Sequence, residues 1–400
     1  MIINTQNPFG KYNGKESEYV LRALDSENPE NGGFPWVTEF EDRFCDLSSA
    51  KYSIAVNSAT SGLHAALIAA GVGPGDEVIQ PSLTVIMNAL VTVECGATPV
   101  FAEINPDTWN IDVDTIRDKI TGKTKAIMAV SLFGVPLDID PIMDLAKEKG
   151  IIVIDDSAET LCGVYKGGFA GSRADIAVYS FENKKHMSSG SEGGMITTSD
   201  ENLAEKVRKF SGIGYKNLTA TAGRTSLASA EFQNPKYERH DVLGLNYRMN
   251  SVTAAVGLAQ LERVEHLVQR RVSIGEMFNK AIEGCSWLIP QSKIEESNHT
   301  YYTYAVRYEG EKNNKVTWED FYSRYTASGA NGFYAAWVNP YLEPVMKGRV
   351  YSGIKLKEGM NPIAEEYQKK IMLFKTNYRD LAEARKDIDL LSVLIDEIGR

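Results

Sequence analysis

The 400-residue chain carries a formal net charge of −10, which excludes general binding to a nucleic-acid backbone but leaves room for a local basic pocket. Its four cysteines, Cys45, Cys95, Cys162 and Cys285, are scattered with no CxxC spacing and read as reduced, mostly buried thiols. No basic-then-apolar leader opens the sequence and no stretch is long enough to cross a bilayer; the expectation is a cytoplasmic protein with one large domain and a smaller one.

Taken in chain order, residues 15–25 read as a helix, 28–36 (NPENGGFPW) as a breaker-rich loop, and 38–46 as a short amphipathic helix. Residues 52–57, YSIAVN, read as a strand. It runs into Ser58-Ala59-Thr60-Ser61-Gly62 and a helix with apolar Leu63, Ala66, Leu67 and Ala70. Small and hydroxyl residues at a helix start can offer free backbone N–H groups to a phosphate; the competing reading is that Ser58 is a plain N-cap. Strands follow at 77–80, 99–102 and 125–132, with a helix at 86–94. Asp140 as N-cap, Pro141 at the first position and Gly150 as terminator bracket another helix. A buried strand at 151–154 comes next. Nearly all-apolar strands alternating with helices predict an α/β fold, a mainly parallel sheet with helices on both faces. Ligands bind such sheets beyond the carboxyl ends of the strands, so 57–62 and 155–159 are expected to converge on one site.

Residues 151–159, IIVIDDSAE, are an apolar run ending in acids, and residues 180–194, SFENKKHMSSGSEGG, hold two lysines, a histidine and a glycine-rich exit. A buried strand that delivers an acid, followed by a lysine on a nearby loop, suits pyridoxal 5'-phosphate: the lysine bonds the cofactor aldehyde and the acid pairs with the pyridine nitrogen. Alone, the stretch reads more simply as a solvated turn, with the acid capping the next helix. Strands at 175–181 and 195–198 flank the loop, a helix spans 201–210, and 212–240 reads as a polar flap. NYRMN, 246–250, leads into a long helix through Val252, Val256, Ala259, Val264 and Leu267. Beyond residue 284 come a strand at 301–308, a helix at 318–325, a loop-rich stretch at 335–359, and helices at 363–373 and 381–398. The division is a large domain over 1–260 and a smaller α+β domain over 261–400.

Several segments share one ordered pattern: Pro35-Trp36 with Glu39-Phe40-Glu41, NSATSGLHAAL from Asn57, GATPVFAEI from Gly96, SLFGVPLDID from Ser131, DDSAE, YSFENKKHMSSGSEGG and NYRMNSVTAAVGLAQLERV. In that order they resemble the DegT/DnrJ/EryC1/StrS family of sugar aminotransferases, which has the type I aminotransferase fold. The resemblance implies pyridoxal 5'-phosphate as cofactor, with Asp156 on the pyridine nitrogen and Ser180, Ala59 and Thr60 at the phosphate. Asn246 matches a residue that reaches the phosphate of the other subunit's cofactor, which implies a homodimer with shared sites. Glu159 matches a position near the cofactor phenolic oxygen; two anions there would repel, so Glu159 is expected to be protonated or turned aside. Val85 stands where many members stack an aromatic ring on the cofactor.

Counting forward from Ser180, the cofactor lysine is Lys185; counting back from Glu192-Gly193-Gly194, the position falls on His186, because the loop is one residue longer than usual. The unbroken spacing from Asp156 through Ser180 favours Lys185, with Lys184 as a neighbour. His186 as base would instead make a sugar dehydratase. IMLFKTNYRD, 371–380, replaces a family LSLPxH-like segment and resembles the transaminases that aminate C8 of 3-deoxy-manno-octulosonate, an acidic sugar of lipopolysaccharide. The expected reaction moves an amino group from L-glutamate to that sugar's 8-oxo form, with a 4-keto-6-deoxy nucleotide-diphospho sugar as the alternative acceptor. Lys184, His186, Arg239, Arg248 and Lys375 are the candidate substrate contacts, an arginine suiting a carboxylate best. The intact acid–serine–lysine set speaks against a non-enzymatic scaffold.

Overall fold

The computed structural model describes residues 10–26, 35–221, 223 and 229–400. Residues 28–34 of the breaker-rich loop and part of the polar flap lie outside that range. Helices α1 (Lys15–Ser26) and α2 (Trp36–Ser48) precede strand β1 (Tyr52–Val56). Then α3 (Ala59–Ala69), β2 (Glu77–Pro81), α4 (Met87–Glu94), β3 (Thr98–Ala102), α5 (Val113–Lys119), β4 (Thr124–Val130), α6 (Ile139–Lys149) and β5 (Ile152–Asp156) alternate. A two-stranded hairpin, β6 (Val164–Tyr165) and β7 (Gly168–Phe169), leads to β8 (Ile176–Ser180), β9 (Gly194–Thr198) and α7 (Glu201–Ser211).

These build a seven-stranded sheet in the order β1-β9-β8-β5-β4-β2-β3. β9 runs antiparallel to its neighbours β1 and β8, and the remaining pairs are parallel. The strands are apolar at successive positions because helices cover both faces. Val78, Met128, Ile154 and Val178 pack with Leu63, Leu67 and Val207 of α3 and α7, while Ile79, Ile127 and Val153 pack with Ile142 and Leu145 of α6. Each such side chain contributes about 1.5–3 kcal/mol on full burial.

The chain continues with α8 (Ser229–Phe232), α9 (Ser251–Leu261) and α10 (Val264–Ala281), then β10 (Leu288–Pro290), β11 (Thr303–Tyr308), α11 (Gly310–Asn314), α12 (Trp318–Ala327) and β12 (Tyr334–Ala335). A small hairpin, β13 (Val350–Tyr351) and β14 (Ile354–Lys355), precedes α13 (Pro362–Gln368), β15 (Ile371–Lys375) and α14 (Leu381–Ile398). A second, antiparallel sheet has the order β10-β11-β15-β12. Its aromatic core joins Phe278, Trp287, Phe321, Phe374 and Leu391. Among the described residues no helix is long and apolar enough to cross a membrane.

Three expectations about elements need correction. The long helix through Leu267 is broken between α9 and α10, where the Arg263 guanidinium leaves the helix line to bind the carbonyls of Gly10 and Lys11 and the Glu16 carboxylate. The helix expected over 363–373 ends at Gln368, and Ile371–Lys375 is a strand between β11 and β12. Asp140 is not a cap: it lies in the first turn of α6, after Asp138 at the cap position, and pairs with Lys166 and Arg173. Gly150 does terminate α6 with φ 67°, a conformation glycine adopts without a Cβ clash.

Candidate active site

The site lies at the carboxyl ends of β5 and β8. Asp156 ends β5 and is 3 % exposed. Its Oδ2 accepts a hydrogen bond from Asn88 Nδ2 (3.0 Å) and its Oδ1 one from the Ala158 amide (3.2 Å). Both donors are neutral. Burial pushes the Asp156 carboxyl above its ordinary range, opposed by the Asn88 bond and the Lys185 charge. A carboxylate so placed is short of a cation.

Glu159, on the turn after β5, accepts the Phe133 amide on Oε2 (2.9 Å) and meets Lys185 Nζ at 3.1 Å on Oε1. The glutamate therefore faces the lysine. The Lys185 amine also lies over the Tyr302 ring, 4.2 Å from its centre. Burial works to depress this amine, but Glu159, Tyr302 and Asp156 prevail and hold it above its ordinary value. Behind the lysine, the buried Arg271 of α10 donates to the carbonyls of Lys184 (2.6 Å) and Lys185 (2.9 Å), to the Tyr302 carbonyl (2.7 Å) and to Thr376 Oγ1 (3.3 Å). The loop carrying Lys185 is thus tied to the second sheet.

A second group of residues meets one sheet row away. Val56 pairs with Gly194, and Gly194 with Ser180. A Cβ on Gly194 would stand 2.7 Å from the Ala59 amide nitrogen and 2.8 Å from the Ser58 carbonyl carbon. Only glycine lets α3 come this close to the Ser180 row. Ser58 does cap the helix, its Oγ accepting the Ser61 amide at 3.1 Å. The first intrahelical bond runs from the Gly62 amide to the Ser58 carbonyl, so the Ala59 and Thr60 amides precede the helical ladder. Ser180 Oγ accepts the Glu182 amide at 3.3 Å. Val85 is half-buried in the loop between β2 and α4, three residues before Asn88.

The remaining candidates divide. His186 is 2 % exposed, with Nε2 at 3.0 Å from the Thr300 carbonyl; burial, with Arg271 close by, holds its pKa well below the ordinary value. It is Lys185, not His186, that meets Glu159. Lys184 and Lys375 line one cavity beside Tyr302. Arg248 instead lines a different cavity with Glu41 and Arg208, and Arg239 is half-buried in the flap over Tyr237; neither joins Lys184 and Lys375 within one chain. Asn246 is exposed on a segment held to the end of β1, where the Asn57 amide donates to the Tyr247 carbonyl (2.8 Å). Asn88, Tyr302 and Arg271 escaped the sequence reading. Asn88 lies within the helix and Tyr302 within the strand expected from the sequence, with no local signal of a site, and Arg271 reaches the lysine loop only through the packing of α10.

The donor set fits pyridoxal phosphate: a reactive amine, a buried carboxylate wanting a cationic nitrogen, and a glycine-wide approach of a helix start to a serine hydroxyl. Residues 11–373 match the DegT/DnrJ/EryC1/StrS aminotransferase family. The chain is 39 % identical over 298 residues to the GDP-perosamine synthase of Caulobacter vibrioides, covering 74 % of this chain and 75 % of that protein. It is 37 % identical over 293 residues to the GDP-perosamine synthase of Escherichia coli O157:H7, covering 73 % and 75 %. The crystal structure of an aminotransferase from Psychrobacter cryohalolentis superposes with a TM-score of 0.84 at 28 % identity, covering 96 % of this chain and 97 % of that one.

Proposed function

The chain belongs to the DegT/DnrJ/EryC1/StrS aminotransferase family, and from that premise we propose that it moves an amino group from L-glutamate to the carbonyl of a sugar bearing an anionic group. It is a pyridoxal-phosphate-dependent sugar aminotransferase. The observation that carries the mechanism is the Lys185–Glu159 pair beside the buried Asp156.

Bound there, the cofactor supplies an electron sink for breaking the bond next to the amine carbon. The chain's residues do the rest. Lys185 takes the proton from the amine-bearing carbon of glutamate and, in the second half-reaction, gives one to the sugar carbon that takes up the nitrogen. Glu159, itself held by the Phe133 amide, and the Tyr302 ring orient the amine. Asp156, fixed by Asn88, presents its carboxylate to the pyridine nitrogen. Ser180 and the Ala59 and Thr60 amides would hold the cofactor phosphate, and Val85 would pack against its ring. Asn246 serves the site of a second subunit. Lys185, which meets Glu159, is favoured as the base over His186, whose Nε2 is bonded to the Thr300 carbonyl.

The GDP-perosamine synthase relatives favour a nucleotide-diphospho sugar as acceptor. A second reading, the 8-oxo form of 3-deoxy-manno-octulosonate, is supported by the cavity beside Tyr302, which has a volume of about 280 Å³ and is lined by Lys375. That volume lies just below the roughly 300–1,000 Å³ usual for ligand pockets. The test is glutamate-dependent amination of both sugars by the holoenzyme, with Lys185→Ala as control. Amination of neither, or activity surviving in Lys185→Ala, refutes the proposal; the sugar that is aminated decides between the acceptors.

A further inference from the structure

The cavity next to Lys185 is lined by Lys184, Arg271, Lys375, Tyr302, Tyr334 and Trp337 among others, and no acidic side chain lines it among the described residues. We propose that Lys184 and Lys375 form the subsite for the acceptor's anionic group, with Tyr302 and Trp337 flanking the sugar; this rests on the reading of the protein as an aminotransferase for an anionic sugar.

The charges in this cavity are poorly compensated. Arg271 is buried, and the groups that receive its four hydrogen bonds are carbonyls and a hydroxyl, not carboxylates. Its positive charge therefore extends into the cavity, where low polarity strengthens its reach. Lys184 is exposed and pairs with no carboxylate among the described residues. Lys375 does have a partner, Glu383 at 3.0 Å, so an incoming anion shares it. Arg271 itself has no spare role as a direct ligand; by holding the Lys184 carbonyl it fixes the backbone from which that side chain projects.

Geometry joins the cavity to the chemistry. Tyr302 lines the cavity, and its ring lies under the Lys185 amine. Trp337, which also lines the cavity, is stacked on Phe133, with centres 5.5 Å apart and planes inclined by 18°. A sugar seated between these rings would have its carbonyl at Lys185 and its anion at the outer lysines. The shared chemistry is a fixed negative group on a sugar, either a diphosphate or a carboxylate. Lysine suits both as a mobile point charge, with less geometric demand than arginine.

The experiment reads binding rather than turnover. The holoenzyme is titrated calorimetrically with GDP and, separately, with 3-deoxy-manno-octulosonate, using wild type, Lys184→Gln and Lys375→Gln. An unchanged visible cofactor band and thermal midpoint verify folding. At least one probe should bind the wild type, and each substitution should weaken it by about tenfold, the scale of one charge-assisted hydrogen bond. Binding of GDP alone identifies the diphosphate, and of the octulosonate alone the carboxylate. Failure of both probes to bind, or binding unchanged in either variant, overturns the subsite. A protein that binds a probe through these lysines yet aminates neither sugar keeps the subsite and loses the proposed reaction.

Discussion

Asp156 shows how burial and function meet in one residue. Its carboxylate is held by Asn88 and the Ala158 amide, and burial alone would favour the neutral acid. Asp156→Asn keeps the shape and the neutral contacts but removes the charge offered to a protonated pyridine nitrogen. The loss of a charged hydrogen bond, about 1.5–3 kcal/mol, should lower kcat roughly ten- to hundredfold while the folded protein retains cofactor. Steady-state rates and the visible spectrum check this; near-normal turnover would refute the role. At this scale the family resemblance pointed to Lys185, Asp156 and Ser180 through their spacing along the chain. Arg271 and Tyr302 were not, because packing of α10 and of the segment before β11 against the lysine loop brings them in from more than 80 residues away.

Between β1 and α3 the helix start approaches β9 through the gap left by Gly194. Adding a methyl group there forces the Ala59 end of α3 away from Ser180. Gly194→Ala should therefore loosen the cofactor by about tenfold or more, the scale of one or two lost hydrogen bonds, with little change in the second sheet. Equilibrium dialysis against pyridoxal phosphate measures it; unchanged retention would mean that the phosphate does not sit there. Elements of the large sheet were readable because uniformly apolar strands alternate with helices. Ile371–Lys375 was misread because a short apolar run looks alike as helix or strand. Its state is decided by hydrogen bonding to β11 and β12, partners distant in sequence.

Across the molecule, the large sheet and the second sheet are joined through α9 and α10, and we place the boundary between the two domains at the break separating those helices. Asn246 follows a stretch in which Val242, Leu243 and Leu245 are 39, 94 and 45 % exposed. Such an apolar run suits coverage by a second copy, as proposed for the shared site. Mixing inactive Lys185→Ala subunits with inactive Asn246→Asp subunits should then restore part of the activity, because one site of each heterodimer is intact. Subunit exchange without any recovery would count against sharing. The resemblance implies a dimer, but one chain's sequence offers no direct sign of where a partner would lie.

The stacking of Trp337 on Phe133 constrains how this enzyme can change its diet. Phe133 also donates its amide to Glu159, the partner of Lys185. A substitution at Trp337 that widened the cavity for a new sugar would remove one of the two rings, with Trp109, that pack Phe133 beside the glutamate. With the sugar seated as proposed, specificity and turnover are coupled on that wall. Tyr334, 68 % exposed on the rim of the same cavity, carries no such tie. With the sugar seated as proposed, substitutions at Tyr334 are expected to alter the acceptor at less cost to turnover than substitutions at Trp337.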